Sequence, residues 1–212
     1  MAEGPHDTTT EALQRRLDGV YRRFEAAAAP FMAGAVCRIG CAACCIDVGR
    51  VDATTMEAVV IHRHLRTLPR ARRKEVEKAL GRDRRRRRPG PAFARCPFLQ
   101  KNDTCMIYAL RPFACRQLYS LRPCAGQGPT VHRRTVDLAR AAVAELQRLD
   151  ANGYSGHLSF VLELLDDDAF RRFYLAGGCD PGRLMAFARP RGLVINRMVA
   201  GDESLPETPA GA

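Results

Sequence analysis

The sequence predicts a mainly α protein, a single helical domain with a cysteine-rich, irregular lobe. Three observations predict it. Apolar residues recur at helical spacing in several segments, no run alternates apolar and polar residues as half-buried strands do, and residues 92–128 combine cysteine, proline and glycine with few periodic apolar positions. A chain of 212 residues with 46% apolar content can bury one respectable core.

Each element follows from a local pattern. Thr8 with Glu11 makes a capping box, and Leu13, Leu17, Val20, Tyr21, Phe24 and Ala28 then recur on one helical face up to Pro30. Thr54 with Glu57 repeats the pattern ahead of Met56, Val60, Ile61, Leu65 and Leu68. Pro69 divides this helix from a basic one that carries only Val76 and Leu80, and residues 82–88 with Pro89-Gly90-Pro91 read as a linker or long loop. A helix over residues 131–149 presents Val136, Ala139, Val143 and Leu146. Ser155 is read as the cap of another with Leu158, Val161, Leu162 and Leu165, whose face continues through Phe170, Phe173 and Tyr174 to Gly177-Gly178. Asp180-Pro181 opens a short helix with Leu184 and Phe187. The expected divisions are an N-terminal helix at 1–36, a cysteine-cluster region at 37–128, a C-terminal helical region at 129–200 and a disordered tail at 201–212.

The chemistry lies in the cysteines. Of nine, four are packed as Cys37, Cys41, Cys44 and Cys45, and four more are spaced as Cys96, Cys105, Cys115 and Cys124. That density exceeds what packing needs and reads as a thiolate metal site. Thiolates favour zinc or iron, the latter as single ions or as clusters such as 4Fe-4S, whereas magnesium and calcium want oxygen ligands. Disulfides are the competing reading. They need an oxidising compartment, and the charged opening residues are not an apolar signal segment, so a soluble, cytoplasmic protein with no membrane span is expected. In a straight helix, residues 37–45 would climb ~12 Å, too far for four sulfurs only ~4 Å apart around one zinc. Either Gly40 breaks the run into a knuckle or ligands are shared with the second group, and sharing is favoured because it would hold the cysteine-rich loop on the helical body. Cys179 stands alone in a GGCDPG turn and is expected to play no part in metal binding.

Residues 96–116 read CPFLQKNDTCMIYALRPFACR. With the first cluster ending in a double cysteine, then CPFL, then C-x-IY-x-x-RP-x-x-CR, the chain resembles the YkgJ family of zinc- or iron-chelating cysteine-cluster proteins, over roughly residues 37–124. The resemblance implies eight metal-chelating cysteines, without an established activity. Arg111 and Arg116 fall within the matching motif. A metal held by four thiolates keeps an excess charge of −2, which these two guanidiniums are placed in sequence to neutralise as second-shell groups. Tyr108 and Pro112 are read as shaping the turn. His62 and His64, at i and i+2 on a helix, point apart and are read as exposed.

Three functions compete. The first is a metal-binding protein whose site is a structural staple or a carried cofactor. The second is an iron-sulfur-dependent methyltransferase-like enzyme, kept open because flagellin lysine methylases have a similar cysteine cluster, although no glycine-rich nucleotide loop is visible. The third is an arginine-rich nucleic-acid-binding module. The formal charge is +11, and only three of the 34 basic residues are lysine; eight thiolates holding two zinc ions would lower the net charge to about +7. The run at 82–88 has no interleaved aromatic residues to stack bases and is read as a solvated linker rather than a nucleic-acid interface. The metal ion is then the expected partner.

Overall fold

In the computed structural model, which describes residues 5–38, 40–46, 49–88, 93–179 and 181–199, the first apolar stripe forms α1 (Pro5–Met32). A single turn, α2 (Ala43–Ile46), and strand β1 (Asp52–Thr54) lead into α3 (Thr55–Thr67) and α4 (Arg70–Arg87); α5 (Phe113–Arg116) lies within the cysteine-rich segment. The second half runs α6 (Arg133–Leu149), β2 (Tyr154–His157), α7 (Leu158–Leu165), α8 (Asp168–Leu175), α9 (Pro181–Ala188), β3 (Val194–Ile195) and α10 (Asn196–Val199). The fold is mainly α, as expected.

Helix α3 is the centre because apolar residues surround it. Met56 and Val60 join Leu17, Val20, Tyr21, Phe24 and Ala28 of α1, Phe113 of α5, and Ala139, Ala142 and Leu146 of α6 in one cluster. Ala58, Val59, Ile61 and Leu65 face a second, built with Val76 and Leu80 of α4 and the apolar residues of α7 and α8. A helix apolar on most sides is buried on most sides. Its start is the capping box read in the sequence: the Thr54 side chain accepts from Glu57 N, and Thr54 N donates 2.7 Å to Glu57 Oε2.

Several elements differ from the sequence reading. Helix α1 begins upstream of Thr8, so Thr8 is not its cap, and it continues past Pro30 to Met32. The arginine run is helical to Arg87. Its anchors are polar, which is why an apolar pattern missed them: Arg87 pairs with Asp83 at 2.9 Å, and Ser159 of α7 donates 2.8 Å to the other Asp83 oxygen. Ser155 lies in β2, and His157 caps α7. The apolar face drawn through to Gly177 is two helices, because the Asp167 side chain accepts from Ala169 N and Phe170 N and starts α8 afresh. Three short strands pair antiparallel in the order β1-β2-β3, with Ala53 opposite Gly156 and Tyr154 opposite Ile195. At two to four residues each, they are too short to show alternation. Residues 89–92, Asp180 and the tail from Gly201 lie outside the described residues.

Candidate metal centre

The first cysteine run is not a helix. Gly40 has φ +83°, Cys41 N donates to Arg38 O at 2.9 Å, and the turn α2 begins only at Ala43. A positive φ suits glycine and breaks the climb that would have separated the thiols. Cys37 and Cys41 are exposed, while Cys44 and Cys45 are half-buried on α2 with their sulfurs 4.0 Å apart.

The second run is a series of turns pinned at apolar residues. Leu99 N donates to Cys96 O at 3.1 Å, and Leu99 bridges to Cys105 across a tight loop that Asp103 turns at φ +60°. Phe98 and Ile107 are buried in the core on either side. Cys115 lies on α5, whose first residue, Phe113, is buried against Tyr21 and Phe24. Glu57 holds this helix too: its Oε1 accepts from Phe113 N at 2.7 Å and from the Tyr21 hydroxyl at 2.8 Å. Cys124 follows on a loop closed by Leu121 N donating to Thr130 O at 2.9 Å.

The two runs lie side by side. Cys96 N donates to Cys45 O at 2.8 Å, and Val36 N donates to Ser120 O at 2.8 Å. The thiols sense one another accordingly. Burial, then the charges of Cys96, Cys105 and Cys44, push Cys115 up, and burial with Cys105 pushes Cys96 up to about 11. Burial raises Cys105 as well, with a contribution from Cys44. Cys44 and Cys45 share a proton: hydrogen bonding from Cys45 lowers Cys44 to about 6, and the same bond with burial holds the second proton on Cys45, to which Cys96 and Cys115 add. Cys37 is raised by burial, with smaller effects of Cys41, Cys124 and Cys44. Five thiols, Cys44, Cys45, Cys96, Cys105 and Cys115, thus form an inner group, and Cys37, Cys41 and Cys124 an outer one that meets it at Cys44.

Backbone amides already face these sulfurs: those of Phe98 and Leu99 at Cys96, of Ile107 at Cys105 and of Ser120 at Cys37 each favour the thiolate. Such donors stabilise metal-bound thiolates. Arg111 lowers the thiols of Cys44, Cys105 and Cys115. Its guanidinium lies 4.0 Å over the Tyr108 ring, and its Nε is buried without a hydrogen-bond partner. An orphaned cationic donor that acts on the thiols of Cys44, Cys105 and Cys115 fits a centre that carries net negative charge in use. Among the described residues no three His, Cys, Asp or Glu side chains stand close enough, as placed, to hold one metal ion. The donor chemistry, thiolate sulfur, fits zinc or iron.

Arg116, grouped with Arg111 in the sequence, is spent elsewhere. Its Nε and Nη2 donate to Arg111 O at 3.0 Å and Ala109 O at 2.8 Å, and Nη1 reaches Glu25 of α1 at 3.3 Å. It ties the turn before α5 to α1 rather than facing the thiols. His62 is buried, with Nε2 3.5 Å from Asp166, against the expectation of exposure. No described interaction joins Cys179 to the other eight cysteines. The second role of Glu57, clamping α5, was invisible in the sequence; its capping box was the only signal.

Residues 36–137 match the profile of the CxxCxxCC family, described as a putative zinc- or iron-chelating domain. No curated protein and no solved structure matches the chain. Among the described residues no helix is long and apolar enough to cross a membrane.

Proposed function

We propose that residues 36–137, as a CxxCxxCC domain, hold two tetrathiolate metal sites. Cys45, Cys96, Cys105 and Cys115 form an inner site that staples the cysteine-rich segment to the helical body. Cys37, Cys41, Cys44 and Cys124 form an outer, exchangeable site. The observation that carries the reading is that half-buried thiols from three separate stretches of chain, Cys44, Cys105 and Cys115, all feel the orphaned Arg111 guanidinium. When bound, zinc or iron supplies the positive charge that offsets the mutual repulsion of the thiolates and the strong bonds that link those stretches. A site closed by four thiolates leaves no open coordination position, which suits a staple. Exposure of Cys37 and Cys41 gives a chelator or an acceptor protein access to the outer site. Cys44 belongs to the outer set but lies against the inner one, so it couples the two.

Metal content and release test this. Anaerobically purified protein is expected to carry two metal equivalents, or two clusters with matching acid-labile sulfide and visible absorbance. A competing chelator should remove one equivalent quickly and the other slowly. Cys124→Ser should abolish the fast phase alone, Cys115→Ser the slow phase alone, and Cys44→Ser should disturb both, with Cys179→Ser unchanged. A folded, metal-free protein with eight titratable thiols would refute the metal reading, and release in a single phase would refute the division into two sites.

A further inference from the structure

The arginine run belongs to a cationic face that extends along the whole of α4. With about 100° per residue, Val76, Leu80, Asp83 and Arg87 fall on one side of the helix, and all four are buried. On the opposite side stand Arg70, Lys74, Lys78, Arg82, Arg85 and Arg86, all exposed. The remaining basic residues of the segment have acidic partners: Arg72 with Glu75, Arg73 with Glu77, Arg87 with Asp83, and Arg84 and Arg88 with Glu163. None of the six on the outer face has an ion-pair partner among the described residues. The two acids that flank this face, Glu75 and Glu77, are paired with Arg72 and Arg73.

We propose that this face of α4 binds the sugar-phosphate backbone of nucleic acid, without reading sequence. The i, i+4 series Arg70, Lys74, Lys78, Arg82 and Arg86 places a cation about every 6 Å over ~24 Å of helix axis while winding about 160° around the solvent side, a continuous basic strip that a polyanion can follow. No large apolar side chain is exposed on α4, so the face lacks what insertion into a lipid surface needs. It also lacks the asparagine and glutamine side chains that read base edges. The helix is held rigid by its buried Asp83–Arg87 pair and by Arg87 Nη1 donating to Gly49 O. Phe93, 76% exposed, lies against that same Gly49, on the Arg87 side of α4 and away from the basic strip.

The test uses the full-length, metal-loaded protein and fluorescence anisotropy on labelled single-stranded RNA and duplex DNA of unrelated sequences. Binding should be similar across sequences and should fall steeply with salt, with a log–log slope of about −5 on the duplex if all six cations engage phosphates. Lys74→Glu/Lys78→Glu/Arg82→Glu should weaken both ligands at least tenfold and shrink the slope by about half. Reversal of three exposed arginines elsewhere, Arg122, Arg134 and Arg140, should leave binding within about twofold. Circular dichroism and metal content confirm that each variant is folded. Unchanged binding in the α4 variant, an equal loss in the control variant, or retention on anionic lipid vesicles with none on nucleic acid would overturn the proposal.

Discussion

Asp150, the residue after α6, is a buried carboxylate that joins several elements. Its carboxylate accepts from the Tyr174 hydroxyl at 2.6 Å, from Met56 N at 3.0 Å and from Asn196 Nδ2 at 3.1 Å, so it caps α3 from outside and links it to α8 and α10. Burial nevertheless pushes it up to about 7, ahead of the opposing effect of the Tyr174 and Met56 donors. Between pH 4 and 7 the folded state holds a proton that an unfolded aspartate has released. Its contribution therefore favours folding below about pH 4 and is lost as pH rises through 7, by about 4 kcal/mol in all. Asp150→Asn should be less stable throughout, since two donors lose an acceptor, but the difference between the two proteins should narrow as pH rises over that window. Denaturant midpoints across pH check this, and a constant difference would show that Asp150 does not titrate there. Residues of this kind resist sequence reading because their pairing is decided by tertiary placement. The eight grouped cysteines stand out in the sequence by spacing alone. Arg111 and Arg116 were not separable, because in a chain so rich in arginine only the directions of their donors tell them apart. His62 was read as exposed because it and His64 point apart on a helix, yet it is buried with its Nε2 3.5 Å from Asp166.

At the level of elements, amphipathic length decided what could be read. Helices α1, α3 and α6 showed themselves through long apolar stripes, whereas α4 was cut short at the arginines because two of its four buried positions, Asp83 and Arg87, are charged. The strands of the sheet, two to four residues each, and the break between α7 and α8 are below what periodicity can register. The coupling between α3 and α5 was hidden for a different reason: it passes through one carboxylate. Glu57 accepts from Thr54 N of β1, the Tyr21 hydroxyl of α1 and Phe113 N of α5. Glu57→Ala would leave three buried donors unpaired, each costing roughly 1–3 kcal/mol. A loss of about 3–5 kcal/mol is expected, together with weaker retention of metal at Cys115, since α5 loses its N-terminal acceptor. Denaturation and chelator competition on the same variant measure both. Loss of stability with the slow release phase intact would show that α5 is held by Phe113 packing rather than by Glu57.

For the whole molecule, the question is how much of the cysteine-rich segment depends on metal. Its scarcity of periodic apolar residues suggested that it needs a cross-link throughout, but Phe98, Ile107, Phe113 and Tyr119 are each nearly fully buried and pin it at four points. Tyr119 adds a hydroxyl that donates to Phe31 O at 3.1 Å and accepts from His132 N at 2.9 Å, joining the segment to the end of α1 and the start of α6. What lacks such anchors is the stretch 36–46 and the loop 121–130, which carry four exposed or half-buried thiols of the first run and Cys124. Among the described residues, 36–46 is tied to the body by Val36 N to Ser120 O and Cys96 N to Cys45 O, and 121–130 by the Ser120 hydroxyl, which donates to Arg122 O and accepts from Thr130 N. Metal bonds worth on the order of 10 kcal/mol would dominate their order, and would also suppress the entropy of the long connection between the runs. Chelation should therefore release amide protons of 36–46 and 121–130 first and by several orders of magnitude. The amides of Met106 and Phe113, bonded to Phe98 O and Glu57, should lose far less, and α6 and α7 least of all. Hydrogen exchange on metal-loaded and chelated protein measures it. Equal protection of the two stretches in both states would mean that packing alone orders the thiols and that the metal is cargo rather than a staple.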